Sequence, residues 1–315
     1  MGVLRKDYIL DRWVYYAIER KKRRIEFKQE QEHIVDNEAC FFCPGNERLT
    51  PPEIGRVEEK NTWKIRWFPN KFPAAELKGS PKINTKNKFL SEGKNYGMHE
   101  VIAETRDHKK QLADLSIEHI KEIFDVYILR IKTLSKLNGI KYVSVFKNKG
   151  SSAGTSLVHA HTQVAALSIL PKEVMDEVKA ANKHKKCPYC DIIKLESKSK
   201  RKIIENKNVI AFAPFASRFN FEAWIFPKRH VKNITAMYDN ELYDMASALK
   251  KILIKLKKLN ASYNFFLHYA PAGNDLHFHI EVIPRLAKFG GFEYSTGAII
   301  NSVMPEDAAK FYRDK

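Results

Sequence analysis

The sequence predicts an α+β fold made of two copies of one unit. Three observations predict it. Short strand-like runs alternate with one long amphipathic helix in each half. Each half carries one C-x-x-C pair, Cys40/Cys43 and Cys187/Cys190. Each half also delivers an H-x-H pair near its end, His159/His161 and His277/His279. A chain of 315 residues has room for one large or two medium domains. We place the halves at residues 1–170 and 171–315.

In the first half, residues 13–18 read as a strand and residues 19–24 as a basic run. Residues 40–56 read as loop, with Pro44, Gly45, Asn46, Pro51 and Pro52 as turn signals. A strand at 64–68 follows, then a polar, loop-like stretch at 75–95 and a strand at 100–104. Ser116 is a plausible N-cap for a helix reaching residue 137. Ile117, Ile120, Phe124, Ile128, Ile131 and Leu134 recur along it at helical spacing, and Asn138-Gly139 ends it. A strand at 142–146 leads to a small-residue loop at 150–155. Residues 156–163 then form the strand that carries His159, His161 and Gln163 on one face.

The second half repeats this order. Strands at 209–212 and 222–226, a helix over about 239–259 and a strand at 263–267 precede His277 and His279. Glu100 precedes His108 by eight positions, and Glu222 precedes His230 by eight. One such match is easy by chance, but a shared series of features is the mark of a duplication.

Composition narrows the function classes. The chain is 44% hydrophobic and 11% aromatic, enough for a core. It has no 18-residue apolar run and no apolar leader after Met1, so we expect a cytoplasmic protein with no membrane span. The formal net charge of +18 raises nucleic acid as a partner. The lysines, however, are spread over the whole chain without a nucleic-acid-binding signature, which fits a solvated surface and small anionic substrates.

The cysteines and histidines form two four-ligand sets: Cys40, Cys43, His108 and His159, then Cys187, Cys190, His230 and His277. Two thiolates and two imidazoles make a closed tetrahedral site, the structural zinc pattern. We expect two Zn2+ per chain. A closed site would hold the strand that carries His161 rather than activate water.

With His159 bound to metal, His161 is left for chemistry. A neutral imidazole is a competent nucleophile toward phosphorus, provided its Nδ1 proton is held, as by a backbone carbonyl, so that Nε2 presents a lone pair. Gln163 can donate to a non-bridging phosphate oxygen. Asn148, Ser151, Ser152 and Ser156 can add donors around the 150–155 loop. In the second half, Glu281 stands where the first has Gln163, and the Gly/Ser loop is missing. We therefore expect one working site and one degenerate twin, with His279 a core or interface residue.

The pattern resembles the galactose-1-phosphate uridylyltransferase family of the histidine-triad superfamily over nearly the full chain. His159-Ala160-His161-Thr162-Gln163 is similar to the family's H-P-H-x-Q, with alanine for proline, and residues 40–54 resemble its C-P-x-C-x-G-x-E and T-P-P segments. Arg20 and Arg23 are similar to a phosphate-gripping arginine pair, and Asn70 to a nucleobase-pocket asparagine. Lys288, Phe289, Phe292 and Glu293 resemble the sugar-binding tail. The resemblance implies histidine-triad-like domains, each a mainly antiparallel sheet with a long helix. It implies a homodimer in which the partner's tail completes each sugar site. It also implies ping-pong transfer: His161 attacks the α-phosphorus of a nucleoside diphosphate hexose, and hexose 1-phosphate leaves. An acceptor then takes the nucleotidyl group. Uridylyl exchange between UDP-glucose and galactose 1-phosphate is the leading expectation. Two departures, at Ile299 and Lys71, bear on the substrate, and the tail looks more like the ADP-glucose phosphorylase branch, where inorganic phosphate is the acceptor. Ile299 falls where galactose-1-phosphate users carry glutamine, and residues 290–307 look more like that branch. Lys71 also stands where some members have aspartate. The alternative of another class is a non-catalytic, zinc-stabilised nucleotide- or RNA-binding module. The net charge supports it, and the intact His161/Gln163 pair and loop argue against it.

Overall fold

The computed structural model describes residues 2–22, 40–155 and 157–314. Arg23 and Ser156 lie outside the described residues. The strands are β1 (Val3–Lys6), β2 (Trp13–Tyr16), β3 (Gly55–Glu59), β4 (Thr62–Pro69), β5 (Ile83–Asn87), β6 (Leu90–Gly93), β7 (Gly97–Ala103), β8 (Tyr142–Lys149), β9 (His161–Leu167), β10 (Lys202–Glu205), β11 (Val209–Phe212), β12 (Ala223–Pro227), β13 (Tyr263–His268), β14 (His279–Pro284) and β15 (Ile299–Asn301). The helices are α1 (Ile117–Leu134), α2 (Lys172–Ala181), α3 (Pro188–Glu196), α4 (Asp239–Lys258), α5 (Gly291–Thr296) and α6 (Pro305–Arg313).

Ten strands form one sheet in the order β10-β11-β12-β14-β13-β8-β9-β7-β4-β3. Every neighbouring pair in it is antiparallel. The duplication is visible as symmetry about the central β8·β13 pair. From it, β8, β9, β7, β4 and β3 run one way, and β13, β14, β12, β11 and β10 the other. The N-terminal strands lie elsewhere: β2 is sandwiched between β1 and the C-terminal β15.

Helices α1 and α4 pack against each other over one face of this sheet. Ser116 caps α1 by accepting from the His119 N–H at 3.1 Å. Buried α1 residues such as Ile120, Ile123, Phe124, Tyr127, Ile131 and Leu134 recur at helical spacing. One helix-to-sheet tie is ionic: buried Arg130 makes a bidentate pair with buried Glu100, both contacts at 2.8 Å.

Three details depart from the sequence reading. Neither H-x-H pair lies wholly within a strand: β9 begins at His161 and β14 at His279, so His159 and His277 occupy the approach loops. The E-x7-H match is not a match in the sheet. Glu100 faces Val164 across β7·β9, and the residue facing the equivalent Val282 is Ala223, not Glu222. Residues 75–95 are not all loop, since β5 and β6 form an exposed hairpin. Its side chains are all exposed, so no burial pattern marks it in the sequence.

Among the described residues, no helix is long and apolar enough to cross a membrane.

Candidate active site and metal centres

Strand alternation sends successive β9 side chains to opposite faces. Thr162 points toward the helices, where it accepts from the Tyr127 hydroxyl at 2.7 Å and donates to Glu104. His161 and Gln163 therefore point to the opposite face of the sheet, away from α1 and α4. His161 has 7% of its surface exposed, and Phe42 packs edge-on against its ring at 5.3 Å. Its Nδ1–H donates to the His159 carbonyl at 2.8 Å, which leaves Nε2 with its lone pair. Burial, reinforced by the Lys147 ammonium, lowers the pKa of His161 to about 4, so the imidazole stays neutral at physiological pH.

Lys147 was not singled out from the sequence. It is buried beneath β9, donating to Glu104 at 2.6 Å and to the His161 carbonyl at 2.8 Å. It thus ties the His161 backbone to the α1/α4 side of the sheet.

The loop after β8 follows from its glycines. Gly150 has φ +85°, and a Cβ there would overlap Ser262 of the other half. Ser151–Ala153 then make one turn of 3-10 helix, and Gly154 closes it in the left-handed region. Ser151 is exposed and Ser152 half-buried. Asn148 pairs across the central seam with Asn264, whose side-chain N–H groups donate to Asn148 Oδ1 at 2.8 Å and to the Ala153 carbonyl at 2.9 Å. Asn148 also lines a cleft of about 360 Å³, together with Phe146 and Phe266.

Asn70 lies at the end of β4, where its Oδ1 accepts from the Phe72 N–H at 2.9 Å. It lines a pocket of about 450 Å³ with Pro69, Pro73, Met98 and His99. His99 Nε2 is 3.0 Å from Gln163 Oε1. Arg20 is exposed on a 3-10 turn. The tail residues do not join this cluster within the chain. Phe289 stacks on Phe219 at 5.4 Å, Phe292 meets Tyr15 at 5.8 Å, and Glu293 accepts from the Gly290 N–H. Lys288 is exposed.

Both four-ligand sets assemble, with each set's donor atoms within 4.8 Å of one another. In the first, all four residues are buried. Cys43 Sγ is 3.3 Å from His108 Nδ1, and both thiols are 3.5 Å from His159 Nδ1. Ligands sharing one tetrahedral zinc have sulfur and nitrogen about 3.5 Å apart, so the set fits the ion. His159 Nε2–H donates to the Thr105 carbonyl at 2.7 Å, which aims Nδ1 at the centre. Burial and the adjacent Cys40 push the Cys43 thiol up to about 12. A cation held between the ligands would supply the charge that lets Cys43 ionise. In the second set, Cys190 Sγ is 3.5 Å from His230 Nδ1 and 3.6 Å from His277 Nδ1. Asp275 holds His230 Nε2 at 2.9 Å, and the Pro227 carbonyl holds His277 Nε2 at the same distance.

The twin position is blocked. His279 Nδ1 bonds to the His277 carbonyl at 3.0 Å, as in the first half, but its Nε2 faces Glu281 Oε1 at 3.4 Å. Arg218 in turn grips Glu281 at 2.9 Å. A third cluster went unread in the sequence: Glu177 of α2, His268 and His279. Burial alone would lower His268, yet the Glu177 and Glu281 carboxylates outweigh it and raise its pKa to about 9. These residues form a buried ion-pair group, and no fixed spacing announces it.

Comparison with known proteins agrees with this geometry. The family profile described as galactose-1-phosphate uridyl transferase, N-terminal domain, matches residues 3–171, and one described as scavenger mRNA decapping enzyme C-term binding matches 186–291. ADP-glucose phosphorylase of Arabidopsis thaliana is 34% identical over 99% of this chain and 92% of that protein. Galactose-1-phosphate uridylyltransferase of Thermotoga maritima is 29% identical over 100% and 98%. The crystal structure of an ADP-glucose phosphorylase from Arabidopsis thaliana with bound ADP-glucose superposes with a TM-score of 0.86 at 31% identity, covering 100% of this chain and 99% of that one. A uridylyltransferase structure gives 0.76 at 28%, covering 99% and 97%. The chain belongs to the galactose-1-phosphate uridylyltransferase family, whose curated members are transferases acting on sugar nucleotides and hexose phosphates.

Proposed function

We propose that the chain is a nucleotidylyltransferase that works through a covalent nucleotidyl-His161. The observation that carries this reading is the His161 ring: neutral, with Nδ1–H held by the His159 carbonyl and Gln163 on the same face. Nε2 attacks the α-phosphorus of a nucleoside diphosphate hexose; the P–N bond forms as the P–O bond to the sugar phosphate breaks. The sugar phosphate leaves as a stable anion. The acceptor oxygen then attacks the same phosphorus and His161 departs neutral, so its proton on Nδ1 never moves. Gln163, Asn148 and the serines of the loop donate to the phosphoryl oxygens as charge develops. Arg20, Arg23 and Asn70 bind the nucleotide. Lys288, Phe289, Phe292 and Glu293 bind the sugar of a partner subunit's site in a homodimer.

We propose zinc in both four-ligand sets. Bound there, it is structural, and Cys40, Cys43, His108 and His159 hold the loop whose carbonyl orients His161. Maintaining free thiolates for it suits a reducing cytoplasm.

ADP-glucose with inorganic phosphate is the substrate pair we favour, supported by the 34% identity and the TM-score of 0.86 to ADP-glucose phosphorylase. Uridylyl exchange between UDP-glucose and galactose 1-phosphate is the second reading, supported by the family profile and the Thermotoga relative. Brief incubation with α-labelled ADP-glucose or UDP-glucose, then denaturation, tests both. Acid-labile label on the protein, absent from His161→Ala, is expected. Chasing with phosphate or galactose 1-phosphate identifies the acceptor. No label and no sugar phosphate released from either donor overturns the reading.

A further inference from the structure

We propose that His99 is a positioning residue that fixes which end of the Gln163 carboxamide faces the phosphoryl group. The inference rests on the nucleotidyl-transfer reading above and adds a residue to it.

His99 projects from β7 to the same face as Gln163, diagonal to it across the β7·β9 pair, where His99 is opposite Ala165 and Gln163 is opposite Val101. It is buried, with 7% of its surface exposed. Its tautomer follows from its neighbours. The Ala74 N–H donates to His99 Nδ1 at 3.1 Å, so Nδ1 carries no proton. A neutral ring must then carry its proton on Nε2. Burial lowers the pKa of His99, which keeps the ring neutral. Nε2–H meets Gln163 Oε1 at 3.0 Å, a donor facing an acceptor. Asn70 Nδ2 is 3.4 Å from the same nitrogen but makes no hydrogen bond to it in this tautomer, and its own Oδ1 is held by the Phe72 N–H.

The consequence falls on Gln163. A carboxamide can flip, and its two ends differ in sign. With Oε1 held by His99, the NH2 end is left for an anionic oxygen on the α-phosphorus. In the flipped state an amide oxygen would meet that anion, and two N–H groups would face each other at His99. The relay begins at a backbone amide in the segment that walls the Asn70 pocket, runs through His99, and ends at the phosphate donor. The second half lacks it. Glu222, the residue just before β12, stands where extending the register puts the counterpart of His99, and Glu281 replaces the amide.

A double-mutant cycle on the zinc-loaded, full-length protein tests this, read by single-turnover formation of the labelled adduct. His99→Ala should slow adduct formation about tenfold with KM for the donor changed by less than about twofold. In a Gln163→Ala background the same change should have no further effect. His99→Gln, which restores an N–H donor, should recover part of the rate. Equal slowing in both backgrounds overturns the proposal, because a merely structural histidine would act that way. A second readout needs no turnover: long-range 1H–15N NMR of the imidazole nitrogens. The proton of His99 should be on Nε2, and Gln163→Ala should shift that nitrogen. A proton on Nδ1 overturns the proposal even if the adduct forms. Absence of an adduct in the wild type instead overturns the nucleotidyl-transfer reading, while the NMR result still decides the role of His99.

Discussion

His161 and His279 begin with the same environment and end with opposite ones. Each bonds Nδ1 to the carbonyl two residues back. They differ at Nε2, which faces Glu281 in the twin. Exchanging that carboxylate does not restore a phosphate loop, so Glu281→Gln should yield no label on His279 in a His161→Ala background, checked by peptide mapping. The pH behaviour of His161 is a second test. With its folded pKa near 4, the attacking imidazole is already neutral, so the adduct-forming rate should be flat from pH 8 to 5.5; a midpoint at the ordinary 6.5 would contradict the burial mechanism. In the zinc-free protein, prepared with a chelator, burial also lowers His159 to about 4 and His277 to about 3. The unfolded chain binds more protons than the folded one between those values and 6.5, so stability should be full above pH 6.5 and fall as pH drops through that window. Denaturant midpoints at pH 7.5 and 5 measure it.

At the level of elements, the working strand is held from below and from the side. Lys147 of β8 ties the His161 carbonyl to Glu104 in a site with 1% exposure at the lysine and none at the glutamate. Lys147→Met leaves that carboxylate buried without its partner and should destabilise the fold by about 3–5 kcal/mol, read as a lower urea midpoint. The side support comes from the other half. Ser262 leaves no room for a side chain at Gly150, whose φ of +85° already disfavours one. Gly150→Ala should therefore cost about 1–3 kcal/mol in the same assay. Together with Asn264, this contact shows how the second half shapes the 150–154 loop of the first.

At the level of the whole molecule, the two metal centres stand in different relations to the chemistry. The first includes His159, whose carbonyl sets the His161 tautomer. The second closes over α3 and the His277 loop of the twin. Cys43→Ser should thus lower adduct formation at least about tenfold, whereas Cys190→Ser should lower Tm and leave most labelling intact. Metal analysis should give two zinc ions in the wild type and about one in each variant.

The sequence by itself determined the duplication and grouped both four-residue ligand sets, and the division of labour we propose for residues 156–163 starts from it. Those features are local spacings, C-x-x-C and H-x-H, set by the reach of a turn and the alternation of a strand. It is also the source of the expectation of a degenerate twin, because a carboxylate for a glutamine is legible as a charge. It did not contain His99, Lys147, Asn264 or the Glu177–His268 group. Each of these acquires its role by standing beside a residue distant in sequence, across β7·β9, beneath β9, or over the β8·β13 seam. Lateral strand order, which only the tertiary structure decides, sets those neighbours. The same order shifted the Glu222 match by one residue, since equal spacing along a chain does not ensure equal register in a sheet.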